Sequence, residues 1–124
     1  MSITEEGREP ASTDRRFPRE SRLKNASQFR AVYAGGRKKI SRSFVVFILP
    51  NQSETTRFGL TTPRKVGKAH ERNRIRRRVR EILRHGRGAL ASGYDVVINP
   101  RRSVLDSDFA SIDAELWSLL GMMS

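Results

Sequence analysis

A mixed α+β fold, a two-layer α/β sandwich, follows from three features of this 124-residue chain. Apolar residues recur at helical spacing in three stretches, around 29–33, 75–83 and 109–120. Between them lie short β-branched and aromatic runs that read as strands. The elements alternate as α-β-β-(β)-α-β-α, and helices laid on one sheet face are the default packing for that order.

Residues 1–20 (MSITEEGREPASTDRRFPRE) hold two prolines, mixed charges and little that is apolar, so they read as a disordered tail ahead of one domain at 21–121. Asn25 or Ser27 caps the first helix, which sets Phe29, Val32 and Tyr33 on one side and stops at Gly35-Gly36. A short strand is expected at 38–41. Residues 43–49 (SFVVFIL) form a longer one, closed by Pro50-Asn51. The next, 57–62 (RFGLTT), puts Phe58 and Leu60 on one face, and 51–56 (NQSETT) reads as a hairpin loop joining the two.

The clearest helix spans 69–84. Ile75, Val79, Ile82 and Leu83 share its apolar face, while Asn73, Arg77, Arg80 and Arg84 form the opposite stripe. Arg72 projects about 60° from Ile75, on the flank of the buried face. His85-Gly86 ends the helix. The run 94–99 (YDVVIN) is a strand stopped by Pro100, and 106–120 is a last helix with Phe109, Ile112, Leu116, Leu119 and Leu120 as its stripe.

Charge points to the partner. There are 25 Lys and Arg against 13 Asp and Glu, a net +12. Nine of those twelve excess charges lie in 64–87, where eleven cations, mostly arginine, meet only Glu71 and Glu81. So dense a run repels itself unless an anion neutralises it. Its helix opens with Lys68, His70 and Arg72 against the positive end of the helix dipole, a local violation that a bound phosphate would reverse. Arginine suits bidentate phosphate contact and base stacking better than plain solvation.

Catalytic and metal chemistry are poorly served. Cysteine is absent and only two histidines are present. His70 and His85, 15 residues apart on one helix, are separated by about 22 Å. No apolar run approaches the roughly 18–20 residues of a membrane span, and no signal-peptide pattern opens the chain. The expected setting is cytoplasmic and the expected partner a polyanion, most naturally nucleic acid. For Phe29, Tyr33 and Phe47 two readings stay open. They are core residues, or they line a cleft where bases stack for about 1–3 kcal/mol each.

The stretch 57–84, RFGLTTPRKVGKAHERNRIRRRVREILR, resembles the bacterial ribonuclease P protein family. The resemblance rests on Arg72-Asn73-Arg74 followed by Arg76, Arg77, Arg80 and Glu81, preceded by Gly59-Leu60, Arg64-Lys65 and Val66-Gly67. It extends over about residues 22–120. It implies a protein subunit of an endoribonuclease that removes the 5′ leader of precursor tRNA, with the catalytic centre and its Mg2+ in the RNA subunit. It implies a left-handed β-α-β crossover, no catalytic residue in the protein and no obligate protein partner. On the same resemblance Phe29, Tyr33 and Phe47 line the leader cleft and the basic residues belong to the family's basic motif; the helical wheel then divides that motif, with Lys65 and Arg72 expected to join the leader. Arg64, Lys68, Asn73, Arg74, Arg76, Arg77, Arg80 and Arg84 are expected, on the same division, to bind the RNA subunit. The chain departs from the family at Pro63, where a strand kink is expected, and at Asn99-Pro100-Arg101-Arg102 after the last strand. The competing reading is a ribosomal or RNA-chaperone protein with no processing role. A helix-turn-helix is disfavoured because strands flank the basic helix.

Overall fold

The computed structural model describes residues 22–86 and 93–121. The expected tail at 1–20 lies outside the described residues. Three helices, α1 (Ala26–Gly35), α2 (Ala69–Gly86) and α3 (Phe109–Leu120), accompany four strands. These are β1 (Arg37–Ile40), β2 (Phe44–Pro50), β3 (Arg57–Leu60) and β4 (Tyr94–Pro100). Two short 3-10 turns, Arg64–Val66 and Arg102–Leu105, lead into α2 and follow β4.

The sheet order is β1-β2-β4-β3. β4 is antiparallel to β2 and parallel to β3, so α2 is the crossover of a β-α-β unit, as expected. The hairpin expected between β2 and β3 is not there: β4 inserts between them. Its apolar run explains this. Residues 95–98 are all buried, which a strand achieves only at the centre of a sheet covered on both sides. The hairpin that does form joins β1 to β2. Pro63 causes no kink, because β3 has already ended at Leu60 and Pro63 instead opens the 3-10 turn.

The α+β class holds, but the layering is corrected. α2 and α3 pack on one sheet face, where Phe44, Val46, Ile48, Phe58, Leu60, Val96 and Ile98 meet Ile75, Val79, Ile82, Ile112, Leu116 and Leu120. α1 lies on the other face, where Phe29 and Val32 cover Leu23 and Val97. Alternation along each strand supplies both faces at once, so a second layer of helix has an apolar floor to cover. Phe109 is the residue of the last apolar stripe that misses the core and stays exposed.

α1 is set firmly in place. Asn25 accepts the Gln28 amide N–H at 3.0 Å, and the Gln28 side chain accepts from the Asn25 amide, a reciprocal capping box. Phe29 then fills the space over Gly59 in β3. A Cβ built on Gly59 would lie 2.4 Å from Phe29 Cζ and 2.9 Å from Leu23 Cδ1. Leu23 is tied to the same strand through its amide, which donates to Phe58 O at 2.9 Å.

Two ion pairs brace the sheet ends. Asp95, 6% exposed, takes Arg57 Nε and Nη2 at 2.8 and 2.7 Å across the β3–β4 register, and Asn51 Nδ2 at 2.8 Å. The hydrogen bonds it donates to Asp95 hold Arg57 above its ordinary basicity, burial partly opposing them. At the other end Arg102 donates to both Glu71 oxygens at 2.8 and 2.6 Å, joining the start of α2 to the segment after β4. Glu71 also accepts the Lys68 amide at 2.8 Å. Gly67 makes room for this clasp, since a Cβ there would meet Glu71 Oε1 at 2.7 Å and Arg102 Nη1 at 2.8 Å.

Gly59→Ala should cost about 1–3 kcal/mol of stability in urea unfolding, the usual scale of core overpacking. Coupled with Phe29→Leu it should cost less than the two changes summed. Strict additivity would show that ring and Cβ do not compete for the same space. The clasp makes a pH prediction. Hydrogen bonds from Arg102 and the Lys68 amide lower the Glu71 pKa from 4.5 to about 2. A carboxyl whose pKa falls on folding stabilises fully above its unfolded value and loses that contribution as pH drops through the folded one. The stability difference between the wild type and Glu71→Gln should therefore be constant above about pH 5 and vanish between 4.5 and 2. A difference independent of pH would rule the clasp out as an ionic contact.

Candidate nucleic-acid interface

α1 is too short to cover its sheet face. Ten residues of helix reach about 15 Å, against about 23 Å for the seven-residue strands β2 and β4. Beyond Tyr33 the floor is bare, and a cleft of about 900 Å³ opens there. Val45, Phe47 and Asn99 form its floor, Tyr33 one wall, and Thr61, Thr62, Pro63, Lys65 and Val66 with Arg76 the other.

Aromatic surface and positive charge meet in this cleft. Tyr33, 39% exposed, stands edge-on to Phe47 with ring centroids 4.9 Å apart and planes at 83°. Lys38 Nζ lies 5.8 Å from the Phe47 ring centroid. Lys65, Arg76, Arg101 and Arg102 complete the cationic rim, and no carboxylate is among the lining residues. Arg76 Nη1 donates to Thr62 Oγ1 at 2.5 Å and Nη2 to Asn73. Beneath them Tyr33 Oη donates to Asn99 Oδ1 at 3.1 Å, and Thr61 Oγ1 donates to the same oxygen.

Of the residues expected to bind a single strand, the structure brings Tyr33, Phe47 and Lys65 together in the cleft. Phe29 is not with them. At 7% exposure it is packed in the α1 core, because the four-residue step from it to Tyr33 advances the helix by about 6 Å, from above Gly59 to the cleft edge. Arg72 does not line the cleft either. It is half-buried, and its Nε is shielded without a hydrogen-bond partner. Arg76, one turn along the same side of α2, occupies that place. A helical wheel gives the angle of a side chain but not where along its axis the helix meets a cleft.

The other basic positions divide cleanly. Arg64, Lys68, Asn73, Arg74 and Arg77 are exposed. Arg80 is half-buried, and Arg84 pairs with Glu81. Arg78 serves the fold, donating to Val104 O at 2.9 Å. Sequence reasoning missed Lys38, Thr61, Thr62, Asn99 and Arg101 as cleft residues. Strand parity with Val97 puts Asn99 on the α1 face, but nothing in the sequence says that this end of the face is left open.

The arrangement suits an extended, single-stranded polyanion: stacking surface on the floor and cations along the rim. No helix among the described residues is long and apolar enough to cross a membrane.

Comparison with known proteins converges on one family. The family model described as Ribonuclease P matches residues 17–124. The chain is 38% identical over 105 residues to the ribonuclease P protein component of Clostridioides difficile, covering 84% of this chain and 92% of that one. Its fold is similar to the RNase P protein from Thermotoga maritima, with a TM-score of 0.74 at 33% identity, covering 80% and 94% of the two chains. The Staphylococcus aureus RNase P protein gives a TM-score of 0.74 at 26% identity, covering 84% and 95%. Motif, fold, aromatic cleft and relatives agree, and the chain belongs to the ribonuclease P protein family.

Proposed function

We propose that this chain is the protein subunit of a ribonuclease P. It binds the 5′ leader of precursor tRNA in the cleft and a catalytic RNA subunit on the outer face of α2, so that the assembled enzyme releases the mature 5′ end. The observation that carries this reading is the cleft itself, with Tyr33 and Phe47 on its surface and Lys38, Lys65, Arg76 and Arg101 around it. A merely architectural RNA-binding protein has no need of a cleft that joins exposed aromatic surface to a cationic rim.

In this reading the protein positions and the RNA cleaves. Among the described residues no three His, Asp or Glu side chains gather where they could hold a metal ion. In this reading Mg2+ sits on the RNA subunit. The enzyme works in the cytoplasm, without a membrane or an obligate protein partner.

The division of labour follows from exposure. Arg64, Lys68, Asn73, Arg74 and Arg77 present a basic surface away from the sheet, where RNA phosphates neutralise a charge the chain cannot balance itself. Arg80 and Arg84 border that surface. Arg76 belongs to the leader instead.

Cleavage of a leader-bearing precursor tRNA at low magnesium tests the function, comparing protein alone, RNA subunit alone and both. Activity should appear only with both. Cleavage by protein alone would refute the reading, and tight RNA binding without synergy would favour a ribosomal or chaperone role. Phe47→Ala should lose about 1–3 kcal/mol of the preference for precursor over leaderless tRNA, leaving RNA-subunit affinity unchanged. Arg77→Ala should do the reverse, lowering the salt dependence of RNA-subunit binding by about 0.7–0.9 for the phosphate contact removed. Equal effects of both changes on both affinities would overturn the division.

A further inference from the structure

Two consecutive arginines follow β4 at the cleft, and the fold treats them oppositely. Arg102 is engaged. Its Nη1 and Nη2 donate to Glu71 Oε1 and Oε2 at 2.8 and 2.6 Å, a bidentate pair, and Nη1 also reaches Val66 O at 3.4 Å. The Glu71 carboxylate is only 18% exposed and accepts the Lys68 amide besides, so it is fixed in place. Asp106 adds a second negative charge acting on Arg102. Arg101 is open. It is exposed and lines the cleft, and among the described residues nothing accepts from its guanidinium. Only its backbone is fastened. The Arg101 amide donates to the carbonyl of fully buried Ser43 at 2.8 Å, and the Ser43 amide donates to Glu115 Oε2 at 2.6 Å.

We propose that Arg101 holds a leader phosphate while Glu71 withholds Arg102 from the leader, so that one carboxylate sets how much charge the cleft offers. The inference rests on the cleft being the leader site. A cation strengthens binding to a polyanion by neutralising a phosphate, which it does only with charge that is not already balanced. A phosphate reaching Arg102 would have to break a bidentate pair and leave a largely covered carboxylate facing an anion. Arg101 has no partner to give up. The two arginines therefore divide the work: Arg102 braces the start of α2 against the segment after β4, and Arg101 meets the substrate. Glu71 touches no substrate in this scheme. It acts through Arg102 and is a positioning residue.

The test uses the full chain assembled with the RNA subunit and measures affinity for precursor tRNA relative to leaderless tRNA between about 50 and 200 mM salt. Each phosphate contact on a single strand contributes about 0.7 to the slope of log affinity against log salt. Arg101→Gln should make the slope shallower by about that amount and weaken the leader about three- to tenfold. Glu71→Gln keeps an acceptor for Arg102 but removes the negative charge. It should do the opposite, steepening the slope by about 0.7 and tightening the leader. Glu71→Gln combined with Arg102→Gln removes the pair without changing net charge and should return both values to those of the wild type. A loosened fold weakens binding but neither tightens it nor steepens its slope, so the sign separates the proposal from a merely structural role. If Glu71→Gln leaves the slope as it was, or if the double change flattens it as Arg101→Gln does, Arg102 is not withheld. If Arg101→Gln leaves the slope unchanged, Arg101 is not the contact. Each of these overturns the proposal while the leader site stands. If the leader adds no affinity in the wild type, the cleft assignment fails and the proposal falls with it.

Discussion

The structure depends on a mismatch of lengths. α1 covers one end of its sheet face, with Phe29 driven into the space that Gly59 leaves by lacking a Cβ, and it stops before the other end. A helix of two more turns would bury Val45 and Phe47 and close the cleft. A bulkier residue at position 59 would lift the helix from the sheet. Close contact at Gly59 and open space beyond Tyr33 are therefore two results of one docking geometry.

α2 carries two incompatible demands on opposite sides. Ile75, Val79, Ile82 and Leu83 are fully buried and bind it to the sheet and to α3. The remaining surface is so basic that the free protein stores electrostatic repulsion along it. Part is relieved internally, through Arg84 with Glu81 and through Arg78 with the Val104 carbonyl. Exposed Arg64, Lys68, Arg74 and Arg77 have no such relief within the ion pairs described, which is the state expected of a surface whose counter-charge is a partner's phosphate. The Glu71–Arg102 clasp fixes the start of this helix against the segment leaving β4, where the cleft wall turns into the basic face.

β4 shows how one strand serves both stability and recognition. Asp95, Val97 and Asn99 alternate onto the same face. Asp95 is buried and saturated by Arg57 and Asn51, and Val97 lies under α1. Asn99 lies past the cover of α1, where its side chain meets the Tyr33 and Thr61 hydroxyls. Three positions two residues apart thus pass from ionic staple to core to cleft floor, and only the reach of the helix above them changes.

The sequence alone determined the elements and the nature of the partner. Periodicity 3.6 placed α2 and its four apolar residues, β-branched runs placed β2 and β4, and the arginine cluster set the expectation of a polyanion. These are local quantities, set by spacing and charge within one segment. Tertiary structure decided what depends on elements distant in the chain meeting in space. It seated β4 between β2 and β3 where adjacency suggested a hairpin, because only a central place buries 95–98 on both sides. It put α1 on the opposite face from α2 and α3. It also exchanged Phe29 and Arg72 for Asn99 and Arg76 at the site, because a side chain's angle about its axis is written in the sequence, whereas its position along that axis relative to a neighbouring element is set by packing.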